Sequence, residues 1–391
     1  MTVDSSIESS SPPGSRRTKW LLILLLGIAV VGALVYFVIL PRFNTPGFGP
    51  ITGIQPPPTT GKVVFNASGA SFPYPYYSKL FAEYNKLRPN IQINYTSTGS
   101  GVGIKQISDR ETDFGASEAP MSDAQLKAVK GGEILHIPIV LGAVVPIYNI
   151  PGIDAKKRLI FSGEVLADIF RGAITKWNDP VLAELNPGVA LPDSEINVVF
   201  RADGSGTTHV FSEYLAKVSP EFAKAPGKGT SVNWLAPKKV GATGSEGVAS
   251  AVSKTTGTLG YVELTYALQN KIAYGDVINS AGKPIHANLL SVTHAAASQT
   301  KPPADLRMSI TDATGDNAYP ISAFTYLLVY KDQPDRAKAD ALADFLIWAV
   351  TDGQKLAPAL QYAPLPTDIA AFDQRAILSL TANGKPLIPS K

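Results

Sequence analysis

The stretch Arg201-Ala202-Asp203-Gly204-Ser205-Gly206-Thr207-Thr208 follows an apolar alternating run, Ile196 to Phe200, and precedes HVFSEYLAK, residues 209–217. Alternation, then glycines, then hydroxyl residues opening an amphipathic run predict a strand, a tight turn and a helix. The first N–H groups of a helix lack internal partners, and the positive end of its dipole points the same way. A Ser-Gly-Thr start therefore favours an oxyanion, with the Ser205 and Thr207 hydroxyls joining the backbone donors. Arg201 adds a planar, permanently charged fork suited to a tetrahedral oxyanion, and Asp203 stands two residues on to hold it. By itself the stretch also fits a capped helix after a strand with a solvated arginine. A P-loop is excluded because no Gly-Lys-Ser/Thr follows at the required spacing. The Gly-x-Ser-x-Gly elbow is excluded because Asp203 stands in place of the first glycine.

The same pattern recurs upstream. Ile91 to Tyr95 alternates and runs into Gly99-Ser100-Gly101-Val102-Gly103, followed by Ile104 to Ile107. A dinucleotide fingerprint fails there, since Ile104 occupies the last glycine's position. Val63 to Phe65 leads to Gly69-Ala70-Ser71-Phe72-Pro73, and a helix is expected over Tyr74 to Arg88 with Tyr77, Leu80, Phe81 and Tyr84 on one face. Ser71, Ser100 and Ser205-Gly206-Thr207 are thus three candidate oxyanion sites, each at a turn into a predicted helix. Asp113-Phe114-Gly115-Ala116-Ser117-Glu118 adds a carboxylate, Glu118, just past a short strand, where it can face the same cleft or simply cap a helix.

Farther along, Ile137 to Tyr148 and Ile321 to Tyr330 read as apolar strands. Gly163 to Gly172, Glu246 to Ser253 and Asp335 to Val350 read as helices, and Gly257 to Val262 as a strand before a helix near 263–269. The Gly-, Lys- and Pro-rich run from Gly227 to Thr243 is expected to be loop. Repeated strand–helix alternation predicts an α/β protein with largely parallel sheets.

The 391 residues suffice for two lobes with their own cores. A formal charge of +3 and the lack of a long basic run argue against nucleic acid as partner. Cysteine is absent, which removes disulfides, thiolate metal sites, cysteine nucleophiles and a lipidated cysteine. Four histidines without a His-Glu-x-x-His motif make a histidine-rich metal site unexpected. Neither a metal nor a cofactor is anticipated.

Residues 1–19 are Ser/Pro-rich and end in Arg16-Arg17-Thr18-Lys19, ahead of Trp20 to Leu40, an uncharged run of 21 residues. As a helix at about 1.5 Å per residue it would match a bilayer core of about 30 Å. Its bulky end, Val35 to Leu40, offers no small-x-small cleavage site, so an uncleaved anchor is expected in preference to a signal peptide. The basic residues at 16, 17 and 19 place residues 1–19 in the cytoplasm and everything after Leu40 outside. The prolines of residues 41–61 make an extended linker.

From about Val63 onward the chain resembles the periplasmic phosphate-binding proteins of bacterial ABC transporters, the PstS family. The matching stretches are Gly69 to Pro73, Gly99-Ser-Gly with Ile104 to Ile107, Asp113 to Ser117, Trp177-Asn-Asp179, Arg201 to Thr207 and Gly260 to Glu263. The resemblance implies a periplasmic binding protein fold, two α/β lobes closing like a hinge around dehydrated inorganic phosphate; the one transmembrane helix expected ahead of it departs from the family, whose members are usually released or lipid-anchored. The expected division is lobe 1 over 62–149 and 320–391 and lobe 2 over 150–319. By that match Ser71, Phe72, Ser100, Arg201, Ser205, Gly206 and Thr207 donate to phosphate, Asp203 orients Arg201, and Glu118 stands where the family usually has Asp. The implied partners are the permease and ATPase subunits of a phosphate transporter. No catalysis is expected, although a membrane-tethered phosphatase or a phosphate sensor is the alternative from other classes of protein.

Overall fold

Alternation of inward and outward side chains sets the first strand, β1 (Val63–Gly69), in which Val63, Phe65 and Ala67 are buried. The computed structural model describes residues 61–153, 158–298 and 301–387. Helix α1 (Tyr74–Leu87) follows and buries Tyr76, Tyr77, Leu80, Phe81 and Tyr84, the stripe read from the sequence plus Tyr76. Strand β2 (Ile91–Ser97) then pairs parallel with β1 from Val63↔Ile91 to Gly69↔Ser97. Helix α2 (Ser100–Ser108) and strand β3 (Phe114–Ser117) complete the unit, with β3 parallel to β1 on its other side.

Strand β4 (Ile134–Asn149) is the long apolar run of the sequence, and almost every one of its residues is buried. Two-sided burial explains why it lacks polar alternation. Beyond it come helix α3 (Gly163–Phe170), strand β5 (Asn197–Arg201) and helix α4 (Gly206–Val218). Strand β6 (Lys239–Ala242), helix α5 (Gly244–Lys254), strand β7 (Thr258–Glu263) and helix α6 (Leu264–Gln269) repeat the strand–helix unit twice. Strand β8 (Ile321–Tyr330), helix α7 (Arg336–Val350) and helix α8 (Thr367–Leu378) return the chain to its starting side.

The strands join in the order β2-β1-β3-β8-β4-β7-β5-β6. Strand β4 changes partner along its length. Ile134 to Ala143 pair with β8, whereas Val144 to Asn149 pair with β7. One continuous strand therefore belongs to both lobes, and the joint between them falls at residues 143–144. Each lobe has its own aromatic cluster. Phe345 meets Tyr84 at 5.0 Å and Phe81 at 5.7 Å in the first. In the second, Phe211 stacks on Tyr261 at 4.5 Å and meets Phe170 edge-on at 4.9 Å.

Two expectations are corrected. The sheet is mixed instead of largely parallel, because β8 runs antiparallel to β3 and β4, and β4 antiparallel to β7. Chain crossings between lobes reverse direction, which strand–helix alternation inside each lobe does not register. The second correction is Lys239–Ala242, expected as loop and found as an edge strand parallel to β5. Its first three residues are exposed, so it carries no apolar signature. Among the described residues no helix is long and apolar enough to cross a membrane. The anchor expected over Trp20 to Leu40 lies outside the described residues.

Gly69, at the end of β1, ties three loops together. Its carbonyl accepts from Thr98 N (2.9 Å) and Gly99 N (2.8 Å), while Ala70 N donates to the Ala116 carbonyl (3.0 Å). Its φ of +140° is open to glycine alone at low energy, and an added Cβ would stand 2.1 Å from the Ala116 oxygen. Gly69→Ala combines left-handed strain with a clash against backbone. It is expected to lower the unfolding free energy by more than about 2 kcal/mol, measured by urea titration.

Candidate functional site

Five loops converge, all at the carboxyl ends of parallel strands, where open α/β sheets place ligands. From the first lobe come Ser71-Phe72 after β1, Gly99-Ser100 after β2 and Glu118 after β3. From the second come Arg201 to Thr207 after β5 and Gly244-Ser245 after β6. Helices α2 and α4 begin here, and neither has an acidic residue in its first turn. Their unpaired N–H groups and dipoles make the space between them electropositive without any net charge.

Arg201 is buried, with only 4% of its surface exposed. Its Nε donates to Asp203 Oδ1 at 2.8 Å and its Nη2 to Asp203 Oδ2, a two-pronged pair. Asp203 Oδ1 also accepts from Gly244 N at 3.0 Å. Burial pushes the Asp203 carboxyl up, but the hydrogen bonds and charge of Arg201, with the Gly244 N–H, hold it below the usual carboxylate range. One fork of the guanidinium is thus taken, and Nη1 is left pointing at Ser245 Oγ, 3.5 Å away. The Arg201 N–H donates to the Tyr261 hydroxyl, which also bonds Thr208 Oγ1 at 2.7 Å and fixes the start of α4 to the lobe's core.

Ser205 caps α4: its Oγ accepts from Thr208 N at 3.1 Å. A hydroxyl that accepts from the helix still has its own hydrogen to donate. Ser205 N is occupied by the Thr230 carbonyl at 2.7 Å. Gly206 and Thr207, the first helical residues, have no acceptor one turn back for their N–H groups. Thr207 Oγ1 is buried without a partner.

The two lobes meet at this point. Gly101 N donates to the Gly204 carbonyl at 2.9 Å, and Ser71 Oγ lies 2.9 Å from Ser245 Oγ and accepts from Ser245 N at 3.2 Å. A Cβ on Gly99, whose φ is +90°, would stand 2.7 Å from the Gly204 carbonyl, so the approach depends on glycine there. Ser100 Oγ donates to Glu118 Oε2 at 3.2 Å, and that oxygen packs against the Cα of Gly206. Glu118 Oε1 is buried without a partner. Burial raises the Glu118 carboxyl to about 8, despite the opposing pull of Arg201's charge and the Ser100 hydroxyl. The site is therefore a set of donors around one acceptor.

The structure brings Ser71, Ser100, Glu118, Arg201, Asp203, Ser205, Gly206 and Thr207 into this one interface. Phe72 belongs to it through its peptide alone. Its ring packs on Gly142 and lies 6.4 Å from the Tyr362 ring, inside the core. Asp113 stays outside, bonded to Asn66 N and paired with Lys338. The residue that sequence reading missed is Ser245. It stands at a Gly-Ser helix start after a strand, the same signature as at 99–100, but the strand before it was read as loop. Among the described residues no group of three His, Asp or Glu is placed to hold a metal ion.

A two-lobed α/β domain with its donors at the interlobe strand ends is a solute-binding domain, and residues 56–352 match the model of the PBP superfamily domain. A phosphate-binding protein PstS of Xylella fastidiosa (strain Temecula1) is 45% identical over 311 residues, 79% of this chain and 84% of that protein. A phosphate-binding protein PstS of Methanocaldococcus jannaschii is 34% identical, over 95% of this chain and 98% of that protein. The chain belongs to the PstS family of phosphate-binding proteins. A solved phosphate-binding protein from Stenotrophomonas maltophilia shares the fold, with a TM-score of 0.63 at 19% identity over 81% of this chain and 94% of that one.

Proposed function

We propose that this chain captures inorganic phosphate between its lobes and delivers it to the permease of an ABC transporter for import. The observation that carries the reading is the ring of donors around a single buried acceptor, Glu118, in a chain 45% identical to a phosphate-binding protein. In this reading Ser71, Ser205 and Thr207 donate through hydroxyls, Ser100 does so by turning its hydrogen from Glu118 Oε2 to the anion, and Phe72, Gly206 and Thr207 donate through peptide N–H groups. Arg201 donates from the edge that Asp203 leaves free. The lobes are residues 62–143 with 320–391, and 144–319, the boundary falling a few residues before the 149–150 expected because Val144 to Asn149 pair with β7. Trp20 to Leu40 anchors the chain, with 1–19 in the cytoplasm, 41–61 as spacer and the binding domain on the outer face of the cytoplasmic membrane. The 21 uncharged residues support the anchor.

Arg201→Met removes the only cation among the residues of this site. Hydrogen bonds to charged groups contribute roughly 1.5–3 kcal/mol each, so phosphate binding should weaken by more than about tenfold in a calorimetric titration. Binding equal to the parent's would remove the clamp from the argument.

Selectivity rests on Glu118. Phosphate near neutral pH retains a proton and sulfate does not. An ionised carboxylate only accepts, so it bonds the one and repels the other. Titration of both anions above about pH 8, where the Glu118 carboxyl is ionised and phosphate still holds one proton, should show phosphate bound and sulfate strongly rejected. In Glu118→Gln the charge is gone and the amide can turn a donor inward, so the gap should narrow by at least about tenfold. An undiminished gap would assign the discrimination elsewhere. For the anchor, the full-length chain is expected in membrane fractions, with residues beyond Leu40 accessible to protease from outside. A soluble product beginning between Ala29 and Thr60 would contradict it.

A further inference from the structure

Beneath the loop that carries Ser71 and Phe72 lies a second acid, Glu263, at the end of β7 and with none of its surface exposed. Its Oε2 accepts from Thr265 N at 2.8 Å and lies 2.9 Å from the Tyr362 hydroxyl. The same hydroxyl is 2.7 Å from the Phe72 carbonyl oxygen. A phenol has one hydrogen. It cannot serve both a carbonyl and a carboxylate, and an oxygen pair at these distances with no hydrogen between them is repulsive. Thr265 does not supply the missing hydrogen, since its hydroxyl is directed to the Leu360 carbonyl at 2.8 Å. The contacts are all satisfied by one arrangement: Tyr362 donates to Phe72, and Glu263, carrying a proton on Oε2, donates to Tyr362 while still accepting from Thr265.

We propose that Glu263 is a positioning residue of the anion site, held as the neutral acid so that, through Tyr362, it fixes the Phe72 peptide at the cleft. Among the described residues no cation faces it to stabilise the charged form. From β4 it meets Gly142, whose Cα approaches the unpartnered Oε1, and Val144, its strand partner. From α6 it meets Thr265 and Tyr266, whose hydroxyl binds the Ser71 carbonyl and the exposed Glu246. Arg201 acts on that tyrosine. The charge of Glu118 acts on Glu263 across the joint and opposes its ionisation. Burial above all raises the Glu263 carboxyl to about 8, from 4.5, even against the hydrogen bonds of Thr265 and Tyr362. An ionised Glu263 would set a negative charge under the bound anion. A neutral acid gives the loop its hydrogen bond without that repulsion. Glutamine is an incomplete substitute, because one amide nitrogen cannot both donate to Tyr362 and accept from Thr265.

The phosphate part of this inference rests on the proposed function; the protonation does not, and the test separates them. Infrared difference spectra of the parent against Glu263→Gln, near neutral pH, should contain the band of a protonated carboxyl group. Carboxylate bands in its place would overturn the proposal whatever the protein binds. Urea unfolding gives a second readout. A carboxyl raised from 4.5 to about 8 stabilises the fold fully below about 4.5 and loses that contribution progressively up to about 8. Across that range the parent should lose stability relative to Glu263→Gln by up to about tenfold in the unfolding constant per pH unit, then run parallel to it. Parallel profiles throughout would overturn it as well. Phosphate titration then tests the positioning: Tyr362→Phe should weaken binding by about tenfold while the parent's fold is retained, and unchanged affinity would sink that half.

Discussion

The binding interface is organised by one buried ion pair, Arg201 with Asp203. An arginine with 4% of its surface exposed is unfavourable unless a partner answers its charge, and removal of one partner from such a pair typically costs about 3–5 kcal/mol. Asp203 supplies that partner and in turn takes the N–H of Gly244, so a single carboxylate ties the loops after β5 and β6 together. Because Asp203 occupies Nε and Nη2, the remaining edge of the guanidinium has one direction left to point. That direction is toward Ser245 and, across the interface, Ser71. Charge neutrality within the pair leaves the attraction for an anion to oriented dipoles, which suits a site that must also release its ligand.

The second constraint is hydrogen counting. Where donors surround a ligand, each hydroxyl must hold its hydrogen free by accepting from somewhere else. Ser205 does so through Thr208 N and Ser71 through Ser245 N. Glu118 and Glu263 are the two carboxyls embedded in this environment, both raised to about 8 mainly by burial. Their proposed roles diverge because their neighbours differ. Glu118 has Arg201 and a hydroxyl donor facing it, whereas Glu263 shares the Tyr362 hydroxyl with the Phe72 carbonyl, 2.7 Å from it. Strand β4 places Glu263 at the joint between lobes, with Gly142 touching the Phe72 ring and Val144 pairing Glu263.

Much of this was legible in the linear chain because it is local chemistry. An alternating run, a glycine turn and a hydroxyl helix start occupy fewer than about fifteen residues, and a strand or helix of that length is decided largely by its own pattern. Hence Ser71, Ser100, Arg201 and Ser205 to Thr207 stood out, as did β4 and β8. Asp203 was legible because it sits two residues from its arginine. Ser245 was not, since the edge strand before it exposes both faces and shows no apolar period.

What the sequence by itself determined is the set of turns that present donors and the family to which they belong. The tertiary structure alone decided which of those turns face one another. Gly101 meets Gly204 across 103 residues of chain, and Tyr362 reaches Phe72 and Glu263 from the far end of it. Such contacts depend on where β4 and β8 cross between lobes, and nothing in a local pattern encodes the direction of a crossing. The protonation of a buried acid follows from the same cause. A glutamate in a sequence is ionised by default, and only the distances around Glu263 show that its neighbours require a hydrogen from it.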